Sequence, residues 1–578
     1  QRRKEMLNKY VYPKKKNIIL TLIIKMLSTL FGVLIPTILA YIIDDIVPKG
    51  DRNGVIIFGS LMIIVALLEW FLGIKSNRMA AKISSDSIQE IRKDLFDRSI
   101  RLSARQIDKL GVSSIESRLT SDTYTVHNFL GTALRMGSRS IMLFLGGVIF
   151  CVILSPRLSL ILLFIILPIF TIIRVIFNKT QPLWRKLQKR YDAMVQVIRE
   201  SIRGIKVSKA LNRIDDEKEK FFNSSDAARQ TSIKATDTMA MTSPLVNTVL
   251  YCGLALVILY GGKLVEVNQL KVGTIIAFMS YFMQITHSLF MLNWLFNIYS
   301  RAMTSIKRIE EIIFMPIDDN QIVENPIELP ECNNGVPEIE FKNVSFAYED
   351  NNYALQNISF KIYRGQSLGI MGATGSGKST IIRLLLRQYD VNSGEILVRG
   401  VNIKNIKHSQ LNNLFGSVFQ KDFLFKGSIK ANIDFGRNLN NMQLEEAILN
   451  AQAREFIDAK DDRLDHALAS KGVNLSGGQQ QRVLLSRAFA SNPEILILDD
   501  SSSALDFKTD SKLRQAIDEN FSKSTSIIVA QRISSVISCD EIMFLENGKI
   551  LAKGNHEYML ENCVPYKEIA DMQIGELE

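Results

Sequence analysis

The chain has 578 residues and a net charge of +11, and its mean hydropathy is +0.09 although 22% of its residues are charged. That pairing excludes one evenly soluble fold, because a very apolar part must be joined to a polar one, and the length admits several domains. Lys and Arg concentrate between the hydrophobic runs N-terminal to about residue 300, a pattern of membrane sorting rather than of nucleic-acid binding; the scattered Cys151, Cys252, Cys332, Cys539 and Cys563, with no CxxC, argue against a zinc site and a disulfide framework.

Gln1 stands where an initiator Met would, which leaves the natural start open, and no secretory signal is read. Residues 1–16 are basic with Met6, Leu7, Tyr10, Val11 and Tyr12 interleaved; they read either as a short interfacial helix stopped by Pro13 or as a basic tail. Six apolar stretches follow at 17–43, 54–74, 136–154, 158–178, 243–262 and 274–298, each close to the ~20 residues that cross hydrocarbon. The loops at 44–53, 155–157 and 263–273 are short, whereas 75–135 and 179–242 are long, polar and basic. This places both termini in the cytoplasm, with the membrane helices running on into it. Two short connecting helices are expected at the tips, near Ser113–Thr123 and near Arg203–Asn212.

Lys25, Glu69 and Arg174 fall within the spans and are expected to snorkel to the cytoplasmic interface. In the sixth span Gln284, His287, Met291 and Trp294 share one helical face. Such a face suits a bulky amphipathic ligand, and equally suits packing between helices. The membrane domain is taken as 1–320, and the aperiodic Pro/Asn/Gly-rich stretch within 321–337 as a linker to a second domain, 338–578.

In that domain the apolar run 367–371 precedes Gly372-Ala373-Thr374-Gly375-Ser376-Gly377-Lys378-Ser379-Thr380, and an apolar helical run follows. Strand, glycine loop and helix fit the P-loop pattern G-x-x-x-x-G-K-[ST], in which inward N–H groups and a helix N-terminus cradle a polyphosphate. Lys378 would reach the outer phosphates of a nucleoside triphosphate and Ser379 would ligate Mg²⁺. The runs 494–498 and 526–530 read as two more buried strands of a parallel α/β core, with chemistry at their carboxyl ends. Asp499 closes the first, in the Walker B arrangement that holds Mg²⁺, and Gln531 follows the second.

Between those strands lies Leu475-Ser476-Gly477-Gly478-Gln479, followed by Gln480-Gln481-Arg482. This resembles the LSGGQ signature of ATP-binding cassette (ABC) proteins, and the likeness covers essentially the whole chain. It implies that two cassettes sandwich two ATP molecules head to tail, each signature clamping the γ-phosphate held by the other cassette. Tyr348 then looks like the adenine-stacking aromatic and Gln420 like the Q-loop glutamine near Mg²⁺. Ser503-Ala504-Leu505-Asp506 looks like the D-loop, and Gly554-Asn555-His556 resembles the family's C-terminal part. The fold implied is that of type IV ABC exporters: an all-α six-helix transmembrane domain with long cytoplasmic extensions and coupling helices, then an α/β P-loop cassette.

Two positions depart from the family pattern. The residue after the Walker B aspartate is usually Glu, the general base; here it is Asp500, one methylene shorter. The switch histidine is replaced by Gln531, which carries no cation and shuttles no proton. A third departure is His466–Lys471, where exporters show a TxVGExG-like stretch. The first two together resemble the degenerate-site subunit of heterodimeric bacterial multidrug exporters. The resemblance implies a partner half-transporter carrying the Glu and the His, a small amphipathic or cationic cargo, and a multi-pass place in a bacterial plasma membrane. A homodimeric exporter of lipid or peptide, a siderophore importer and an ATP-sensing regulatory subunit remain alternatives.

Overall fold

The computed structural model describes residues 2–318, 323, 326–331, 335–348, 352–420 and 422–574. It divides into two units, Gln1–Ile100 with Ser113–Met315, and Arg101–Val112 with Pro316–Glu578. Of the expected linker, residues 321, 322, 324, 325 and 332–334 lie outside the described residues, Cys332 among them.

The first unit is helical. Among the described residues six helices are long and apolar enough to cross a membrane: Tyr12–Lys49, Arg52–Ile100, Val112–Leu154, Pro156–Arg203, Ile214–Glu266 and Val272–Ile313. Each contains one of the six apolar stretches. At 1.5 Å per residue the 49-residue second helix spans roughly 70 Å, more than twice the hydrocarbon thickness. Val33, Cys151, Leu158, Ile169, Val257, Phe278, Tyr281 and Ile285 form its interior. Large apolar side chains such as Ile56, Phe164 and Phe170 stay exposed, as lipid-facing positions do.

Arg2–Tyr10 is a helix rather than an open tail, and it rests on protein. Tyr10 is buried, its hydroxyl donates to Asp94 at 2.8 Å, and Lys9 and Lys14 pair with Asp94 and Glu90. Lys25 does not snorkel outward. It is 4% exposed and donates to Asn77 Oδ1 at 2.9 Å, while Glu69 pairs with Arg139 at 3.0 Å and Arg174 is exposed. The second connecting helix, Ile205–Ala210, lies where expected. The first does not: a capped helix occupies Ala104–Leu110, and 112–132 is helix continuing into the third span. Ser103 and Gln106 close a reciprocal capping box, and Gly111, at φ 76°, ends the helix.

The second unit contains twelve strands among its described residues: β1 (Ile339–Ala347), β2 (Tyr353–Ile362), β3 (Ser367–Gly372), β4 (Ser393–Val398), β5 (Val401–Asn402), β6 (Phe415–Val418), β7 (Gly427–Ser428), β8 (Ala467–Leu468), β9 (Ile495–Asp499), β10 (Thr525–Val529), β11 (Glu541–Glu546) and β12 (Lys549–Gly554). An antiparallel sheet runs β2-β1-β4-β5, and the main sheet runs β12-β11-β3-β10-β9-β6. From β11 to β6 every pairing is parallel, and β12 is the antiparallel edge. The three apolar runs are therefore adjacent strands, with β10 between β3 and β9. Burial on both faces explains their unbroken apolar sequence. The stretch His466–Lys471 forms β8 against β7, with Lys471 at φ 63°.

Candidate ATP site

The register of the main sheet assembles the site. Val529 lies beside both Ile370 and Asp499, so the P-loop, the Walker B end and the segment at Gln531 leave the sheet at one level. Carboxyl ends of neighbouring parallel strands are where such folds bind ligands.

The loop at Gly372–Thr380 has glycine where geometry demands it. Gly372 has φ 143°, and a Cβ there would come within 2.1 Å of the Leu545 carbonyl oxygen. Gly377 has φ 102°, and a Cβ would lie 2.8 Å from the Ala354 carbonyl oxygen. Helix Lys378–Leu385 starts immediately afterwards. Lys378 Nζ donates to the carbonyls of Gly372 and Ala373, both at 2.8 Å, which aims the ammonium back over the loop. Burial pushes its pKa down, and Asp499 and Asp500 pull it partly back. The Ser376 hydroxyl is buried with no protein hydrogen-bond partner.

Asp499, buried at the end of β9, has its pKa pushed up by burial; the Ser379 hydroxyl and Lys378 oppose that rise. A buried carboxylate beside a hydroxyl suits a hard cation, and the pair Ser379 and Asp499 fits Mg²⁺ shared with phosphate oxygens. Gln420, the third expected metal contact, donates instead to Asp500 Oδ2 at 3.3 Å.

Tyr348, Ala354, Thr374, Gly375, Gly377, Lys378, Ser379, Thr380, Gln420, Asp499, Asp500, Val529, Ala530 and Gln531 line one cavity of 310 Å³. The expected P-loop, Walker B, Q-loop, aromatic and switch positions thus converge. Tyr348 has its hydroxyl 3.2 Å from Thr380 Oγ1 and Arg383 6.0 Å from its ring centroid. Sequence reasoning passed over Arg383, although it stands one turn after Ser379 on the same helix face. It passed over Gln481 as well. Gln481 Nε2 donates to the Asp500 carbonyl at 3.1 Å, and its Oε1 accepts from Ala504 N at 3.3 Å, tying the signature helix to the loop after β9. Asp500 itself sits in the left-handed region, at φ 53°.

Leu475–Gln479 is not part of this cavity's lining. Ser476 caps helix Gly477–Phe489, accepting from Gln479 N at 3.3 Å while Gln479 Oε1 accepts from Ser476 N at 3.1 Å. Ser476 and Gly477 are exposed, whereas Leu475 is buried. Asp506 caps Phe507–Asn520 through Thr509 N, which holds its carboxyl below the ordinary carboxylate range. The membrane-face residues lie together on Val272–Ile313: Gln284 and Met291 are half-buried, His287 and Trp294 exposed, and the Gln284 Oε1 atom is buried with no protein hydrogen-bond partner.

Comparison with known proteins agrees with this geometry. Residues 18–289 match the family model for the ABC transporter transmembrane region, and residues 355–503 match the ABC transporter model. The chain is 32% identical over 542 residues to the ABC transporter ATP-binding protein YfiB of Bacillus subtilis, covering 93% of each. It is 29% identical to YgaD of the same organism, provisionally named a multidrug export ATP-binding/permease protein, over 98% of each chain. The solved structure of a bacterial Atm1-family ABC exporter with ATP bound aligns with a TM-score of 0.80 at 21% identity, covering 97% of this chain and 98% of that one, which establishes the fold. With the transmembrane region and the ATP-binding cassette on one polypeptide, and the P-loop, Walker B and signature elements in place, the chain belongs to the ABC transporter family.

Proposed function

We propose that this chain is one half of a heterodimeric ATP-driven exporter, in which its own P-loop builds a slow ATP site and its signature helix completes the fast site of a partner. The observation that carries this is the chemistry at the ends of β9 and β10. Asp500 and Gln531 line the cavity where a general base and a cationic switch are needed for turnover. Asp500 is also hydrogen-bonded to Gln420, which holds its carboxylate.

In this reading Lys378, the loop N–H groups and Ser379 with Asp499 hold the triphosphate and its Mg²⁺, and Tyr348 stacks on the base. A bound Mg²⁺ supplies charge neutralisation at the phosphates. ATP binding closes two cassettes; the helices that extend from the membrane carry that motion, and the cavity between the two membrane halves changes side. The cycle runs because ATP binds the closed state better than the open one. The cargo is a small amphipathic molecule gripped on the Gln284, His287, Met291 and Trp294 face. The relative named for multidrug export supports outward transport. Both termini face the cytoplasm of a bacterial cell.

Steady-state ATPase measurement on the purified chain in nanodiscs tests the assignment. Negligible turnover with retained ATP binding is expected, and addition of a half-transporter with Glu and His at these positions is expected to restore it. Turnover of about 1 s⁻¹ or more from the chain alone would overturn it in favour of a competent homodimer.

A further inference from the structure

Four charged side chains meet within the membrane unit. Lys25 lies eight residues inside the stretch 17–43, about 12 Å along the helix. Glu69 is five residues from the end of 54–74, and Arg139 three residues into 136–154. All three therefore stand toward the end of the bundle from which the helices extend. Among the described residues Arg139, Glu69 and Arg135 act electrostatically on Lys25. Glu69 is engaged by Arg139 at 3.0 Å and packs against Gly32, where a Cβ would fall 2.8 Å from Oε1. Arg135 Nε donates to the Gly131 carbonyl at 3.0 Å, a neutral partner. Lys25 is 4% exposed, and its acceptor, Asn77, is neutral too.

Three cations thus share one carboxylate at membrane depth. Intramembrane charge is costly unless it is paired, and such groups mark ligand sites. We propose that Lys25, Arg135 and Arg139 form a binding site for the anionic head, phosphate or carboxylate, of an amphiphile. One such head forms charge-assisted hydrogen bonds with the guanidinium groups and offsets the unpaired charge. Exposed apolar neighbours in sequence, Leu27, Leu30, Trp70 and Phe71, provide surface for its tail. A cationic head is repelled. The site concerns this chain's own helices and stands whichever subunit hydrolyses ATP.

The head can belong to a bilayer lipid or to a cargo molecule, and two measurements on the full-length chain in neutral detergent separate them. Native mass spectrometry with equimolar phosphatidylglycerol and phosphatidylcholine reads the lipid. Fluorescence titration with dansyl-undecanoic acid and its methyl ester reads a free carboxylated amphiphile. Preferential retention of phosphatidylglycerol assigns the site to lipid, and preference for the acid over the ester assigns it to cargo. In either case the preference falls by roughly fivefold for each charge removed in Lys25→Met and Arg139→Gln, while Arg139→Lys retains most of it. Arg135→Gln, on an exposed side chain, gives the same reading if Lys25→Met fails to fold. The proposal is overturned if the wild-type chain shows neither preference, or if the charge-removing variants keep it undiminished.

Discussion

The P-loop and the signature helix both set glycines beside a helix N-terminus, yet only the first is explained by its own surroundings. At Gly372 and Gly377 a Cβ would collide with the Leu545 and Ala354 carbonyls, and both residues have positive φ. The loop is glycine-rich because the cassette could not close around it otherwise. At Gly477 a Cβ would meet nothing nearer than Ala504 Cβ at 3.7 Å, an ordinary contact. Ser476 is exposed and already satisfied by its own cap. Among the described residues nothing demands glycine at 477. An uncovered helix N-terminus there is what the proposed function asks of an element read by a nucleotide on another subunit. Gly478 is intermediate, with a Cβ at 3.0 Å from the Ala504 carbonyl.

The largest test of this contrast is at the P-loop. Lys378→Ala removes the ammonium aimed over the loop and is expected to weaken ATP binding to the isolated chain by about 10²-fold or more, read by nucleotide titration. Gly477→Ala is expected to leave that binding and the thermal midpoint within experimental error. Ser476→Arg and Gly477→Ala should nevertheless stop turnover of the two-chain assembly, by about 10²-fold. Under the proposed division of labour, in which a partner's site carries the flux, Asp500→Asn should cost it only about threefold or less. Equal losses from Ser476→Arg and Asp500→Asn would refute the division of labour between the two elements.

A smaller effect follows from Asp499. Burial raises its pKa above the ordinary carboxylate value, so the folded cassette keeps a proton that the unfolded chain has released. Stability contributed by that proton is present below the unfolded pKa and is lost as pH rises through the window up to the raised value. In the proposed function Mg²⁺ competes for the same carboxylate. Its apparent affinity in the presence of ATP should therefore fall, as pH is lowered, earlier than for an exposed Asp. Asp499→Asn should flatten that dependence while weakening Mg²⁺ at neutral pH. An unchanged pH profile in the variant would remove Asp499 from the metal site.

Much of the cassette was legible because its determinants are local. The runs 367–371, 494–498 and 526–530 are continuous and apolar, as doubly buried parallel strands must be, and the P-loop glycines are read off one segment. The first connecting helix is expected near Ser113–Thr123, whereas Ser103, Gln106 and Gly111 carry the capping signals of the helix that forms at Ala104–Leu110. Lys25 was illegible for another reason. Its buried ammonium is held by Asn77, on another helix, and one sequence does not give that pairing. The positive φ of Asp500 was hidden in the same way, since the loop after β9 is shaped by Gln481 from the signature helix.

The smallest expected effect is also the sharpest on mechanism. Gln531→His restores a cation at the end of β10, where the side chain faces the same cavity as Lys378 and Asp500. Alone it should raise turnover at this chain's own site by less than about threefold, because the carboxylate opposite is still one methylene short and still held by Gln420. Asp500→Glu alone should do equally little, for lack of the cation. The pair should exceed the product of the single effects, since base and switch act on one water and one phosphate and neighbouring sites couple. Single-turnover hydrolysis by the chain, with the partner's own P-loop lysine removed, isolates this site. Simple multiplication of the two effects would mean that Asp500 and Gln531 drifted independently; excess would mean that the two substitutions switch one catalytic unit off.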